Sequence, residues 1–349
     1  DDISAVLALY RPGPMAMNMH NDYADRKNGL QKISYFHEDA KEILSKTFAL
    51  CIFQDEKVMT HRGMIPIKDV QIGDIAYGEE GRSGKIINKQ FTGDKEIVEV
   101  SLSNGRTIKC SEDHLFLTPD GYIKAKELDG KLVAIPYGLD VHGNVHDPEL
   151  ARLLAALIAE GSLQDNSSYT ICNNDKEYRE IVKSDLENRY PDLTTTEYFN
   201  TRAWYLSLRQ KDRHKGGYHH PHQLKILLKE IGLNGTNSHT KFIPNIIWEM
   251  DLESKLEFMA MYINGDGHVG DNVVHIRTVS KDVAEGLHDL LISIGIYSSI
   301  YSYEDTFTIF INGTSRFSKL PCPPLISPKR TLQFPTAPRG YAQLLLRSD

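Results

Sequence analysis

Two helical apolar runs in this chain end alike. Leu150, Leu153, Leu154, Leu157 and Ile158 recur at helical spacing up to Glu160-Gly161, and Leu256, Met259, Ala260 and Ile263 lead to Gly265-Asp266-Gly267. The two acidic residues stand 106 positions apart, and a similar series follows each. After Glu160 the pattern predicts a strand at Tyr169 to Cys172, a helix from Asp175, a β-pair around Thr194 to Leu208 and a helix from His222 to Leu233. After Asp266 it predicts a strand at Val273 to Thr278, a helix from Ser280 to Ile294 and a β-pair from Ser298 to Ile311. One long period occurring twice predicts two similar lobes and excludes a solenoid. Small residues at Ala151, Ala155 and Ala159 on one leading helix, and at Ala260 and Gly265 on the other, allow two such helices to pack with close backbone approach.

The remainder of the chain differs in texture. Its 349 residues suffice for two or three domains, and a hydrophobic content of 40% with 25% charged residues excludes disorder, collagen and coiled coil. A net charge of −7 means that any nucleic-acid contact must come from a local basic face. No apolar run reaches the roughly 18 residues of a membrane helix. The four cysteines, Cys51, Cys110, Cys172 and Cys322, lack metal-site or disulfide-framework spacing, which predicts a reducing, cytoplasmic setting. The start at Asp1, with no signal peptide, suggests a fragment or processed product.

Between Cys51 and Pro136, short β-rich runs at Lys57 to Thr60, Met64 to Ile67, Glu99 to Leu102, Thr107 to Cys110, Leu115 to Thr118 and Leu132 to Ile135 are punctuated by glycines, as in a compact all-β unit. The string from Cys51 through Asp55, Val58, Thr60, Gly63, Ile67, Asp69 and Gly73-Asp74 resembles the N-terminal splicing block of inteins. Some sixty residues on, GRTIKCSEDHLFLTPDGYIKAKELDGK resembles the second splicing block, with Ser111 in place of the usual threonine and His114 as its histidine. The resemblance implies an incomplete Hint-type splicing domain. In it the Cys51 thiol attacks the Leu50 carbonyl, an N-to-S acyl shift, while His114 protonates the departing nitrogen and Ser111 orients the peptide.

LLAALIAEG and FMAMYINGDG resemble the paired motifs of LAGLIDADG homing endonucleases, a common insertion within inteins. The implied fold is a two-lobed αββαββα unit in which Glu160 and Asp266 hold Mg²⁺ for double-stranded DNA cleavage. Lys241, in Lys241-Phe242-Ile243-Pro244, falls where this family places a lysine that assists the centre. Arg202, Arg209, Lys211, Arg213, Lys215 and Lys225, interleaved with Trp204, Tyr205 and Tyr218, suit a face that tracks phosphates. His214, His219, His220 and His222 lack the companion ligands a zinc site requires.

LALYRPGPM, NDYADRKNG and FHEDAKEILSKTFAL, within residues 1–50, resemble the palm-to-thumb region of the bacterial DNA polymerase III alpha subunit, the implied host of the insertion. CIFQDE fits either protein, and the THRGMIPIKDVQIGD that follows favours Cys51 as the first intein residue. PCPPLISPKRTLQFPTAPRGYAQLLLRSD resembles neither C-terminal splicing block, and the only His-Asn pair is His20-Asn21, so the splicing fold is expected to lack its last strands. The organisation expected is α+β: a short helical polymerase segment at 1–50, a partial splicing domain at 51–140, an endonuclease at 147–320 and a Pro-rich tail at 321–349. The expected partners are double-stranded DNA at the intein-free polymerase gene and a C-terminal intein fragment acting in trans. The alternative is a degenerate or split intein that binds DNA and does not splice alone.

Overall fold

The computed structural model describes residues 54–77, 83–87, 89, 96–135, 143–164, 169–211, 221–269 and 273–312, with the backbone of 318–319, 335–336 and 342–345. Residues 1–53, which contain the polymerase-like segment, Leu50 and Cys51, lie outside them, as do Arg213 and Lys215.

The β unit opens with β1 (Lys57–Thr60), β2 (Gly63–Pro66), β3 (Ile75–Tyr77) and β4 (Ser83–Lys85), in a sheet ordered β2-β1-β3-β4. Two hairpins follow, β5 (Ile97–Ser101) with β6 (Thr107–Ser111) and β7 (Leu115–Thr118) with β8 (Gly121–Lys124). Ile67, placed in a strand by the sequence, instead starts a 3-10 turn ending at Asp69, because Pro66 supplies no N–H to extend the ladder. Strands β3, β4 and β8, which the apolar pattern did not indicate, are short and mostly half-exposed or exposed. The small core comprises Val100, Leu102, Cys110, Phe116, Ala125, Leu128, Val133 and Ile135.

β9 (Leu132–Ile135) pairs antiparallel with Ala342–Leu345 of the tail, in the register Ala342 to Ile135 through Leu345 to Leu132. The sequence does not indicate a strand in the tail, and this pairing supplies one. An open β9 edge presents unpaired N–H and C=O groups to any extended segment within reach.

The two lobes share one plan. The first runs α1 (Pro148–Glu160), β10 (Gly161–Ser162), β11 (Tyr169–Cys172), α2 (Lys176–Arg189), β12 (Leu193–Asn200), β13 (Ala203–Gln210) and α3 (Gln223–Glu230). After a short α4 (Asn245–Trp248), the second runs α5 (Leu252–Asp266), β14 (Gly267–Val269), β15 (Val273–Thr278), α6 (Lys281–Ser293), β16 (Ser299–Tyr303) and β17 (Thr306–Asn312). Both sheets have the same order, β10-β11-β13-β12 and β14-β15-β17-β16. Among the described residues the second lobe stops at αββαββ, one helix short of the expected unit.

Local signals set the helix boundaries. The Asp147 carboxylate accepts the Leu150 N–H at 3.1 Å with Pro148 next in sequence, and Asp175, Ser280 and Asp251 cap α2, α6 and α5 in the same manner. His222, expected inside a helix, caps α3 by accepting the Lys225 N–H at 3.1 Å. Between helices and sheets, Leu153, Leu154, Leu157, Phe258 and Ile263 are fully buried, each worth about 1.5–3 kcal/mol by area. Arg152 of α1 holds both oxygens of Asp185 on α2 at 2.7 and 2.8 Å and reaches Glu257 of α5 at 3.2 Å, so one guanidinium joins three helices.

The β unit and second lobe interpenetrate. Tyr297 packs against the small β core, and Met59 and Met64 pack against the core of the lobes. Arg106, in the β5–β6 turn, pairs with Glu285 at 3.2 Å and Asp289 at 3.3 Å on α6, and the Ile300 N–H donates to the Asn104 carbonyl at 2.7 Å.

Candidate functional site

Glu160 and Asp266 are the last residues of α1 and α5. Each helix passes directly into a strand through an extended glycine, Gly161 (φ −83, ψ 144) and Gly267 (φ −83, ψ 146), whose N–H donates to Leu157 O or Ile263 O. The expected small residues bring the helices together. Ala151 and Ala155 are fully buried, and a Cβ on Gly265 would stand 3.1 Å from the Ala159 Cβ and 3.2 Å from the Glu160 Cγ. The two half-buried carboxylates therefore occupy one end of one helix pair.

Two side chains donate to this pair, and two more lie within its electrostatic field. Asn173, just beyond β11, donates its side-chain N–H to Glu160 Oε1 at 3.1 Å, while its Oδ1 accepts the Asp175 N–H at 2.8 Å, which fixes which way the amide faces. Tyr262, one turn before Asp266, donates to Asp266 Oδ2 at 3.4 Å. The hydroxyl of Tyr178 is fully buried, and burial with the negative field of Glu160 and Asp266 raises its pKa well above the phenol range. Lys241 is buried, and its ammonium donates to the carbonyls of Leu157 at 3.0 Å, Ile158 at 2.7 Å and Gly161 at 2.7 Å. Burial pulls its pKa down to about 8, opposed by the charges of Asp266 and Glu160.

Those three acceptors define the position of Lys241. The sequence assigns it to the active centre; in the structure it feels the charges of both carboxylates while its ammonium is committed to the end of α1, where a cation also complements the helix dipole. The motif spacing indicated Glu160, Asp266 and Lys241. It gave no sign of Asn173, Tyr178 or Tyr262, because Asn173 follows a strand in an ordinary turn string and the tyrosines sit at positions that read as core.

The basic residues separate. In β13, Leu206 and Leu208 face the core, so Tyr205, Ser207 and Arg209 lie on the opposite face, where Arg209 Nε donates to Ser207 Oγ at 3.2 Å. Arg202 is exposed in the β12–β13 turn, and Lys211 is exposed just past β13. Lys225 lies apart from the strands on α3, whose Leu224 and Leu228 are buried in the lobe core. Trp204, expected among phosphate-tracking residues, carries the guanidinium of Arg179 5.1 Å from its ring centre. In the second lobe Val274 and Ile276 face inward, which leaves His275 and Arg277 on the outer face, beside Phe310 and His268. The period-2 alternation of Val273 to Thr278 contained that signal.

In the β unit, β6 ends at the buried Ser111, and the His114 N–H donates to the Ser111 carbonyl at 3.0 Å, so one tight turn joins the two predicted splicing residues. The His114 ring meets Phe116 edge-on, with centroids 5.2 Å apart. Neighbouring Cys110 is fully buried, and burial pushes its thiol up to about 11. No helix among the described residues is long and apolar enough to cross a membrane.

Residues 253–318, from α5 through Asp266 and the second sheet, match the LAGLIDADG-like domain, and residues 1–66 match the bacterial DNA polymerase III alpha subunit finger domain. The chain is thus similar to a polymerase III alpha-subunit finger segment at one end and to a LAGLIDADG-like domain further on. The polymerase match is to the finger domain and not the palm-to-thumb region the sequence suggested, and it runs through β1 and β2 to Pro66, past the boundary the sequence sets at Cys51. DNA polymerase III subunit alpha of Mycobacterium leprae is 39% identical over 118 residues, 32% of this chain and 10% of that protein, so the chain spans about a tenth of such a relative. The replicative DNA helicase DnaB of Synechocystis is 26% identical over 224 residues, 61% of this chain and 26% of that protein. Among solved structures, I-DmoI in complex with DNA and Mn superposes on 47% of this chain and 89% of its own at TM-score 0.36 and 12% identity, and the gp41-1 intein on 28% and 70% at TM-score 0.21 and 22% identity.

Proposed function

We propose that this chain is part of an intein-bearing DNA polymerase III alpha subunit whose LAGLIDADG-like unit cuts double-stranded DNA with Mg²⁺ at the uninterrupted polymerase gene. The observation that carries this reading is the delivery of Glu160 and Asp266 to one centre by two packed helices, each followed by the same four-stranded sheet. The two carboxylates are the hard oxygen ligands that such a divalent cation takes, and the nearby Lys241 ammonium is engaged by three main-chain carbonyls. When bound, such an ion lowers the pKa of water and stabilises the leaving oxygen. The chain's own residues do the rest. Asn173 and Tyr262 orient the two carboxylates, Lys241 pins the end of α1, and the outer faces bearing Arg209 and Arg277 meet the phosphates.

The same proposal assigns Cys51, Ser111 and His114 to the acyl shift at Leu50, supported by the single turn that joins Ser111 to His114. The test of the nuclease reading is cleavage of a duplex spanning the uninterrupted gene junction. Glu160→Gln and Asp266→Asn should lower the cleavage rate by at least about a hundredfold and leave duplex affinity within a few-fold, as expected for groups that act on the reacting phosphate. Equal cutting by both variants and the wild type would refute the assignment.

A further inference from the structure

Among the described residues the Tyr178 hydroxyl has no hydrogen-bond partner, although its side chain is fully buried. A buried hydroxyl left unpaired costs about 1–3 kcal/mol, so its persistence calls for a cause. Its position supplies one. A Cβ on Gly265 would stand 3.0 Å from this hydroxyl and 3.2 Å from the Glu160 Cγ, so the phenol occupies the niche left by the absent side chain at the crossing of α1 and α5. The first turn of α2 brings it there. Asp175 caps that turn by accepting the Tyr178 N–H at 3.3 Å, and Asn173, two residues before the cap, already holds Glu160 Oε1. One segment, Asn173 to Tyr178, therefore approaches Glu160 with two neutral donors, of which one is engaged.

We propose that Tyr178 is a positioning residue for the dyad: its hydroxyl donates to the Glu160 carboxylate when a divalent cation draws that carboxylate toward Asp266. The inference rests on the endonuclease reading. A neutral donor suits the task, since it stabilises the carboxylate charge without competing with the cation as a second positive charge would. Asn173 holds one edge of Glu160 beforehand, and Tyr178 adds its bond once the carboxylate has moved, so the metal-bound arrangement gains one charge-assisted hydrogen bond.

Tyr178→Phe removes only the hydroxyl. The purified chain, titrated with Mn²⁺ and followed by the electron paramagnetic resonance signal of free Mn²⁺, should show about a tenfold weaker half-saturation in this variant, the size expected for one hydrogen bond to a charged group. Its thermal midpoint without metal should equal or exceed that of wild type, because an unpaired buried hydroxyl is gone. A merely structural phenol predicts the reverse, a lower midpoint with unchanged Mn²⁺ uptake, and that result overturns the proposal. Glu160→Gln is the control for the site. If wild type takes up no Mn²⁺, or Glu160→Gln takes it up equally, the metal-dyad reading itself fails. If Glu160→Gln loses uptake while Tyr178→Phe retains it in full, the role of Tyr178 alone is refuted.

Discussion

Asn173 donates to Glu160 Oε1 at 3.1 Å, and the residue at the matching point of the second lobe, Thr278, holds only half of that arrangement. Both Asn173 and Thr278 sit two residues before a helix cap and accept its backbone N–H, Asp175 at 2.8 Å and Ser280 at 3.1 Å. Thr278 has no amide to extend toward Asp266, which receives the Tyr262 hydroxyl from its own helix instead. The repeat is thus symmetric in backbone and asymmetric in the groups that aim its two carboxylates.

That asymmetry predicts unequal sensitivity. Asn173→Ala removes a hydrogen bond to a charged group and should slow single-turnover cleavage about tenfold or more. Asn173→Asp keeps the bond to the cap but sets a like charge against Glu160, and should be worse. Tyr262→Phe, losing the longer contact to Asp266, should cost less than Asn173→Ala. Rates on a labelled duplex at saturating protein rank the three, and a more severe Tyr262→Phe would contradict the ordering.

Lys241 makes stability depend on alkaline pH. Burial holds its pKa near 8 in the folded chain against an ordinary 10.5, so between those values the unfolded chain binds more protons. Stability should therefore rise with pH across that window and be insensitive to this group below about 8. One such group contributes at most about 1.4 kcal/mol per pH unit. Lys255, buried in α5 and likewise lowered to about 8, contributes a slope of the same sign. Lys241→Met should remove its share while lowering stability at pH 7 through the loss of three carbonyl contacts. Urea unfolding at several values from pH 7 to 10.5 checks both effects, and an unchanged slope would mean that Lys241 is not the group titrating.

Much of this fold was legible because its periodicities are strong. Leu150 to Ile158 and Leu256 to Ile263 carry a helical apolar repeat, Asp147 and Ser280 announce their caps, and the strand at Val273 to Thr278 alternates cleanly. The features without a sequence pattern depend on tertiary context. Asn173 becomes a dyad residue only because β11 ends beside α1, and the commitment of Lys241 to three carbonyls depends on a segment more than eighty residues from its first acceptor, Leu157. Strands β3 and β4 are short and poorly buried, so they leave little hydrophobic pattern. The tail strand at Ala342–Leu345 is recruited by the edge of β9 and not by any pattern of its own.

The seam between β unit and second lobe should behave as part of one folding unit. Gly105 has φ +84, and a Cβ there would stand 1.8 Å from the Ile300 carbonyl oxygen, so Gly105→Ala must break the turn or push β16 away. That combination of strain and overlap should cost at least about 2 kcal/mol. Arg106→Ala should expose Glu285 and Asp289 and speed amide exchange in both the β5–β6 turn and α6. Hydrogen exchange followed by mass spectrometry reads both sides at once. Faster exchange confined to the turn would show that the pairing does not join the two units.

The splicing assignment makes a prediction that the nuclease does not share. If Cys51 forms a thioester with Leu50, added dithiothreitol should intercept it and release residues 1–50, which mass spectrometry identifies by mass. Cys51→Ala should abolish release. His114→Ala should slow it about a hundredfold or more, because the leaving nitrogen of Cys51 then departs without its proton donor. Ser111→Ala should have a smaller effect than His114→Ala, since main-chain N–H groups at the same turn still orient the peptide, and Ser111→Thr should retain release because it preserves the hydroxyl. Glu160→Gln should release the fragment at the wild-type rate, since the dyad lies outside the β unit. Equal release by wild type and Cys51→Ala would place the cleavage elsewhere and remove Cys51 from the mechanism.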